Sequence, residues 1–197
     1  MIAAHASAQA QASAADAPTA GTAPAAQPHA WLECDRMWQW AGAQCAGLKD
    51  AWNTGTPTLY VSGYAWHDPS TYSQEKLHEF NDRAWGLGYG RSKDATNGDN
   101  FGWYAMAFRD SHYKYTKVIG WSYVTYWPAN EDLAVGLGYT AFIASRPDIA
   151  HNWPFPAVLP IASIKVHRLE LLGTFIPKLN GGINHGNVGY FFGRYHF

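Results

Sequence analysis

From residue 56 onward the apolar positions recur at every second residue. That is the period of a strand with two unlike faces. Leu133–Ser145 carries it most clearly. Leu133, Val135, Leu137, Tyr139, Ala141 and Ile143 fall on one side. Ala134, Gly136, Gly138, Thr140 and Ala144 fall on the other, with Phe142 the exception. One face is bulky and apolar, the other small. In a strand that meets lipid, the bulky face points outward. The small face would then leave room inside a closed barrel for something narrow. A water-filled pore would want charges on that inner face, and this strand has none.

Further strands are expected at 58–66, 84–91, 104–109, 118–127, 158–166, 169–176 and 189–197. With 133–145 they make eight, each near the roughly 10 residues of a tilted membrane-spanning strand. Turn signals separate them at Asn97-Gly98-Asp99, Pro128-Ala129-Asn130 and Asn180-Gly181-Gly182. The pattern predicts an all-β fold, an eight-stranded antiparallel transmembrane β-barrel over 57–197. Barrels of this size fill their interior with side chains or one slim ligand. The last strand runs from Tyr190 to a terminal Phe197, with aromatics at alternate positions. It resembles the assembly signal of outer-membrane barrels.

Ahead of the barrel the period changes. Over 31–52, Met37, Ala41, Cys45 and Leu48 recur at three- or four-residue spacing, with Asp35, Arg36 and Gln44 mostly elsewhere on the wheel. Trp31, Trp38, Trp40 and Trp52 crowd the same stretch. An amphipathic α-helix this rich in Trp suits a membrane interface, with a helix packed on a soluble core as the other reading. Read as one helix, the segment puts Cys34 and Cys45 roughly 16 Å apart, too far for a disulfide. The two cysteines are therefore expected to be small apolar residues without a bridge. Residues 1–30 are Ala, Gln, Ser, Pro and Thr with little else, too apolar-poor to fold. Ala6-Ser7-Ala8-Gln9-Ala10 resembles a signal-peptidase site, without the basic start and long apolar region that usually precede one. This segment is expected to be an export-signal remnant or disordered.

Composition agrees with a lipid-facing exterior. Aromatics make up 16% of the chain and charged residues only 15%, against about 25% charged in ordinary soluble domains. No stretch approaches the roughly 18 consecutive apolar residues of a spanning helix. A membrane-spanning form must therefore be a closed barrel, because an open sheet edge is left unsatisfied in lipid. A net charge of −1 gives no reason to expect a nucleic-acid partner.

Polar residues at strand ends are the candidates for chemistry. His67 and Asp68 follow the first strand. Asp110 and Ser111 end the run Tyr104-Ala105-Met106-Ala107-Phe108-Arg109. A His, an Asp and a Ser so placed could form an acyl-transfer site, with His as base toward a hydroxyl. Spacing alone is weak support, since 9 His are scattered along the chain and an exposed loop His is commoner.

The run Tyr104-Ala105-Met106-Ala107-Phe108-Arg109-Asp110-Ser111 resembles the lipid A palmitoyltransferase (PagP) family. So do Trp66-His67 through Tyr72, Glu75-Lys76, Asn81, Arg83, Trp85-Gly86 and Gly88. Gly136-Leu137-Gly138-Tyr139-Thr140-Ala141, Val158-Leu159-Pro160-Ile161-Ala162-Ser163, Phe175-Ile176-Pro177 and Gly186-Asn187-Val188 match as well. The similarity runs from about residue 31 to 197. It implies an outer-membrane enzyme, without cofactor or metal, whose site faces the outer leaflet. The enzyme would cleave an acyl ester of a glycerophospholipid and pass a palmitoyl-type chain to a hydroxyl of lipid A.

The family's essential His falls on His67, and its Asp and Ser on Asp110 and Ser111. His67 would be the general base. Ser111 would be a nucleophile or an oxyanion donor, and Asp110 would orient or stabilise the charged His. No standard triad is implied, because adjacent strand residues project to opposite sides. Ser122 stands where the family's acyl pocket has a glycine floor, so a donor shorter than palmitate is possible. Pro160 and Pro177 match a lateral gate for the phospholipid, since proline cannot donate to a neighbouring strand. A second gate's prolines are replaced by Ser62 and Ala84. Phe101 replaces a His linked to lipopolysaccharide recognition, and Ile183 replaces a gating Tyr. The implied partners are phospholipid, lipid A, the outer membrane and its assembly machinery, for a monomer.

Two other classes compete. A non-enzymatic barrel binding lipid or a host surface would make His67 and Ser111 dispensable. A soluble lipid-binding barrel of lipocalin type would need a polar exterior, which the bulky face of Leu133–Ser145 opposes.

Overall fold

A computed structural model describes residues 33–147, 152–179 and 184–197. Among them eight strands alternate in direction and close into one barrel: β1 (Thr56–His67), β2 (Gly86–Asp94), β3 (Asp99–Arg109), β4 (Tyr115–Pro128), β5 (Leu133–Ser145), β6 (Phe155–Val166), β7 (Leu169–Ile176) and β8 (Val188–His196). Each pairs with its neighbour in sequence, and β8 returns to β1. The strands expected from the pattern are all present. Most extend further than expected, because polar inward positions such as Ser92, Asp94 and Asn100 continue the ladder past the last apolar residue.

The exterior is apolar. Leu87, Ile119, Leu137, Val158 and Leu171 all point out, with Leu137 at 58% and Val158 at 68% exposure. Exposed aromatics gather toward both rims: Trp66, Trp85, Tyr113 and Tyr115 at one, Trp127 and Phe197 at the other. An apolar band between aromatic girdles is the outer surface of a transmembrane barrel. No described helix is long and apolar enough to span a membrane.

The interior is layered. Toward the rim where β1 begins it is polar. The buried Arg194 guanidinium pairs with Glu170 and donates to Asn100 Oδ1 (3.0 Å) and Tyr126 Oη (2.7 Å). His196, Ser92 and Thr58 extend the network, and Lys165 meets Asp94 at 3.0 Å. In the barrel's middle, Val124, Ile161 and Leu172 form an apolar layer with Tyr126 and Phe192. Toward the opposite rim a second apolar cluster joins Ala65, Ala84, Val188 and Tyr190 with Tyr72, Phe108 and Ile176. The small residues of β5 do not leave simple open space along their whole length. A Cβ on Gly136 would meet Val124 and Ser163 at 2.7 Å. One on Gly138 would lie 1.8 Å from the Tyr123 carbonyl oxygen. Glycine there lets β4 and β5 approach closely enough for a small barrel to close.

Two expectations about the N-terminal segment are corrected. The helix α1 spans Gln39–Thr54, not 31–52, and residues 31 and 32 lie outside the described residues. Cys34 sits instead in a separate 3-10 turn, Cys34–Arg36. The chain is extended at Trp38 before α1 begins. The turn folds back over the helix, where Gly42 makes room: a Cβ there would be 2.8 Å from the Cys34 carbonyl oxygen. Cys34 and Cys45 therefore form a disulfide with Cα atoms 5.5 Å apart. The two cysteines do not share one helix, so helical rise does not set their separation.

The buried face of α1 also differs from the expected one. Gln44 and Ala51 are buried, while Met37, Trp38, Trp40 and Trp52 are exposed. The helix meets the barrel wall through small and polar residues. Gln44 accepts a 3.0 Å hydrogen bond from Tyr139, and the Leu48 carbonyl accepts one of 2.7 Å from Trp103. Trp40 and Trp52 are largely exposed, each with its ring beside one barrel aromatic, Tyr139 and Trp103.

Candidate active site

A β-bulge decides what lies inside the barrel at the end of β1. Up to Ser62 the even-numbered residues face inward: Thr58, Tyr60 and Ser62 are all fully or almost fully buried. The register of β1 against β8 shifts between Ser62 and Tyr64. One inserted residue reverses which side chains face the interior. Beyond it, Ala65 and His67 point in and Trp66 points out, with His67 at 5% and Trp66 at 43% exposure. Without the bulge His67 would face lipid.

His67 bonds through both ring nitrogens. Nδ1 lies 2.8 Å from Asp82 Oδ1, and Nε2 lies 2.7 Å from Ser111 Oγ. A carboxylate only accepts, so Nδ1 carries the proton and Nε2 presents its lone pair to the Ser111 hydroxyl. The ring stacks on Phe80 at 4.5 Å and meets the edge of Tyr72 at 5.7 Å. Beside it, Val188 pairs with it across the β1–β8 ladder and belongs to the apolar cluster of Ala65, Phe108 and Tyr190. The site is a polar trio at the head of an apolar wall.

The loop after β1 is built locally. Asp68 Oδ1 accepts from the Ser70 amide (2.9 Å) and hydroxyl (2.8 Å), and Oδ2 from Asn187 (3.2 Å). These donors, the Ser70 amide foremost, hold its carboxyl below the usual carboxylate range. A short helix, α2 (Gln74–Glu79), follows, with Ser73 at its N-cap. The chain then returns through 80–84 and ties the two halves of the site together. The Asn81 amide donates to the Ser111 carbonyl (2.9 Å), and the Asp82 carbonyl accepts from Ala65 (2.9 Å) and Ala84 (3.1 Å).

Of the residues expected here, His67 and Ser111 meet, and Asp110 does not join them. Its Oδ1 accepts from the amides of His112 and Lys114, each at 2.9 Å, and Oδ2 faces Arg146 at 3.5 Å. It shapes the β3–β4 turn that carries Ser111, in which Tyr113 takes a left-handed φ of 62°. The carboxylate that meets His67 Nδ1 is that of Asp82, not that of Asp110. No spacing signal marked Asp82. It lies 15 residues after His67, in a stretch with no regular period.

The remaining expected residues are dispersed. Ser122 is buried inside the barrel, where it pairs with Gly102, and its hydroxyl has no hydrogen-bond partner there. Phe101 lies toward the opposite rim from His67 and faces outward. It is covered by α1, so closely that a Cβ on Gly47 would be 2.5 Å from its ring. Phe101 thus packs α1 against the barrel wall. Ile183 lies outside the described residues.

The β6–β7 ladder stops at Ile161–Thr174, leaving residues 155–160 paired only with β5. Pro156 and Pro160 lie in that stretch, and Pro177 follows the end of β7. Thr174 donates its hydroxyl to the Pro160 carbonyl (2.7 Å) in place of a ladder bond. The β1–β2 ladder likewise stops at Ser62–Gly86. No proline stands at Ser62 or Ala84; instead the Ser62 hydroxyl caps the Ala84 carbonyl. Among the described residues, no three His, Cys, Asp or Glu side chains gather as metal ligands.

Residues 47–194 match the family model described as antimicrobial peptide resistance and lipid A acylation protein PagP. The chain is 39% identical over 170 residues to the lipid A acyltransferase PagP of Bordetella pertussis (strain Tohama I), covering 86% of this chain and 92% of that one. It is 37% identical over 162 residues to the protein of the same name from Legionella pneumophila (strain Corby), with 82% and 85% covered. It is 35% identical over 164 residues to that of Methylobacillus flagellatus, with 83% and 88% covered.

Proposed function

The chain belongs to the PagP family of lipid A acylation proteins, and from that membership we propose how its own residues carry out the transfer. It is an outer-membrane acyltransferase that acylates lipid A. The donor is a glycerophospholipid, and the site faces the outer leaflet. The observation that carries the reading is the contact of His67 Nε2 with Ser111 Oγ at 2.7 Å, at the head of an apolar lumen wall.

A serine hydroxyl has one proton to give. Aimed at Nε2, it is set to become a nucleophile and not to donate to an oxyanion. In the first half-reaction Ser111 Oγ attacks the ester carbonyl of the donor while His67 takes its proton. The lysophospholipid oxygen then leaves with that proton. In the second half-reaction a lipid A hydroxyl attacks the acyl-serine, giving its proton to His67, which returns it to Ser111.

The lumen holds the acyl chain. Ser122 marks its floor, and the polar layer around Arg194 and Glu170 lies beyond. The interrupted β6–β7 ladder, with Pro160 and Pro177, admits the phospholipid. The chain acts as a monomer, because the first and last strands pair with each other and close the barrel within one chain. Its terminal aromatic strand is read by the assembly machinery.

The test is mass spectrometry of lipid A from cells expressing the wild-type chain or His67→Ala. A gain of one palmitoyl unit, lost in the variant, is expected. A smaller gain assigns Ser122 as a raised floor. No gain from folded wild-type protein would sink the enzyme reading in favour of a lipid-binding barrel.

A further inference from the structure

We propose that Asp82 is the positioning residue for His67, holding the ring in the tautomer and orientation that present Nε2 to Ser111. The inference rests on the reading of His67 as general base and adds a residue which that reading does not contain. Asp82 Oδ1 is 2.8 Å from Nδ1, and among the described residues no other carboxylate touches the ring. Asp110, the acidic residue beside Ser111, spends its oxygens on turn amides and Arg146.

The backbone around Asp82 is arranged for the task. Its carbonyl accepts from Ala65 and Ala84, which fixes residue 82 against the strand that carries His67. The preceding Asn81 amide donates to the Ser111 carbonyl. The residue before that, Phe80, stacks on the imidazole. Three consecutive residues thus grip the His ring, its Nδ1–H and the nucleophile's own backbone. A rotation of the imidazole about its Cβ bond would break the Asp82 contact and the Phe80 stack together.

His67 is almost wholly buried, whereas the Asp82 side chain is 49% exposed. The carboxylate therefore keeps its hydration on one side while holding the buried ring on the other. When Nε2 takes the Ser111 proton, the ring becomes an imidazolium, and the adjacent carboxylate balances that charge. Asp82 itself takes no proton. The order Asp–His–Ser is set by three separate elements: the 80–84 return, the end of β1 and the β3–β4 turn.

The test uses the folded full chain in detergent micelles with phospholipid donor and lipid A acceptor, comparing wild type with Asp82→Asn and Asp82→Glu. Asparagine keeps the size but offers an N–H that pairs with the other tautomer. For Asp82→Asn, kcat is expected to fall on the order of 100-fold or more, with KM for the donor within a few-fold of wild type and the thermal unfolding midpoint unmoved. Asp82→Glu should recover part of the rate. Nitrogen NMR of the His67 ring is the second readout. It should show the Nδ1–H tautomer in wild type and a mixture in Asp82→Asn.

An Asp82→Asn enzyme within threefold of wild type overturns the proposal. So does a rate loss that accompanies a lowered midpoint and is not recovered by glutamate, because that describes a merely structural residue. If wild type transfers no acyl chain, the function reading fails, yet the tautomer measurement still decides whether Asp82 positions the ring. An unchanged tautomer in Asp82→Asn overturns the proposal on that ground alone.

Discussion

Single side chains divide between those that touch the reacting groups and those that build their surroundings. Asp110 and Ser111 are adjacent, and the turn sends one carboxylate into its own backbone and one hydroxyl toward His67. Asp68 is likewise a builder, anchoring the loop after His67 to Ser70 and Asn187. Its carboxyl is held below the ordinary carboxylate range by those donors. A group depressed in the folded state contributes order that is present above its unfolded value and lost as pH falls through the folded one. Amide exchange at Ser70 and Thr71 should therefore stay slow through neutral and mildly acid pH and quicken only below the ordinary Asp range. Asp68→Asn should exchange quickly at every pH. A wild-type loop that opens already near pH 6 would show that another group holds it.

Among the elements, β1 and α1 depart most from simple periodicity, and both departures serve placement. The bulge after Ser62 turns His67 inward, and the reversal at Trp38 brings Cys34 over α1. The disulfide closes a short loop outside the barrel, so its removal should act locally. A loop of this size is worth at most about 3 kcal/mol in the chain-entropy view. Cys45→Ser, or reduction, should speed tryptic cleavage after Arg36 and leave the barrel's unfolding midpoint and acyl transfer close to wild type. A large fall in the midpoint would mean that α1 docking depends on the bridge. Strand existence was legible in the alternation of Leu133–Ser145. The bulge was not, because one inserted residue alters no composition and shows only when β8 is laid beside it. The disulfide was hidden for a related reason: a helical pattern carried across 31–52 conceals a break that only the fold-back over Gly42 makes visible.

At the scale of the whole molecule, a closed barrel must fill or plug its lumen. Here the plug is an ion pair with no solvent exposure, Arg194–Glu170, braced by Tyr126, Asn100 and His196. Removing one member of a buried pair leaves the other charge stranded, at roughly 3–5 kcal/mol. Glu170→Ala should lower the temperature at which the barrel unfolds in detergent, by more than the paired replacement Glu170→Leu with Arg194→Leu. Equal losses would mean that packing volume and not charge holds the plug.

The alternation of apolar and small residues, the aromatic excess and the lack of a long apolar helix by themselves determined a lipid-facing barrel, because exposure to lipid constrains every second residue of every strand. The runs around His67 and Ser111 pointed to acyl transfer through their resemblance to a known family. What only the tertiary structure decided is which acid meets the histidine, which way that histidine faces, and which side of α1 is buried. Those depend on contacts between residues far apart in sequence and on a one-residue slip in register, and neither leaves a periodic trace in the chain.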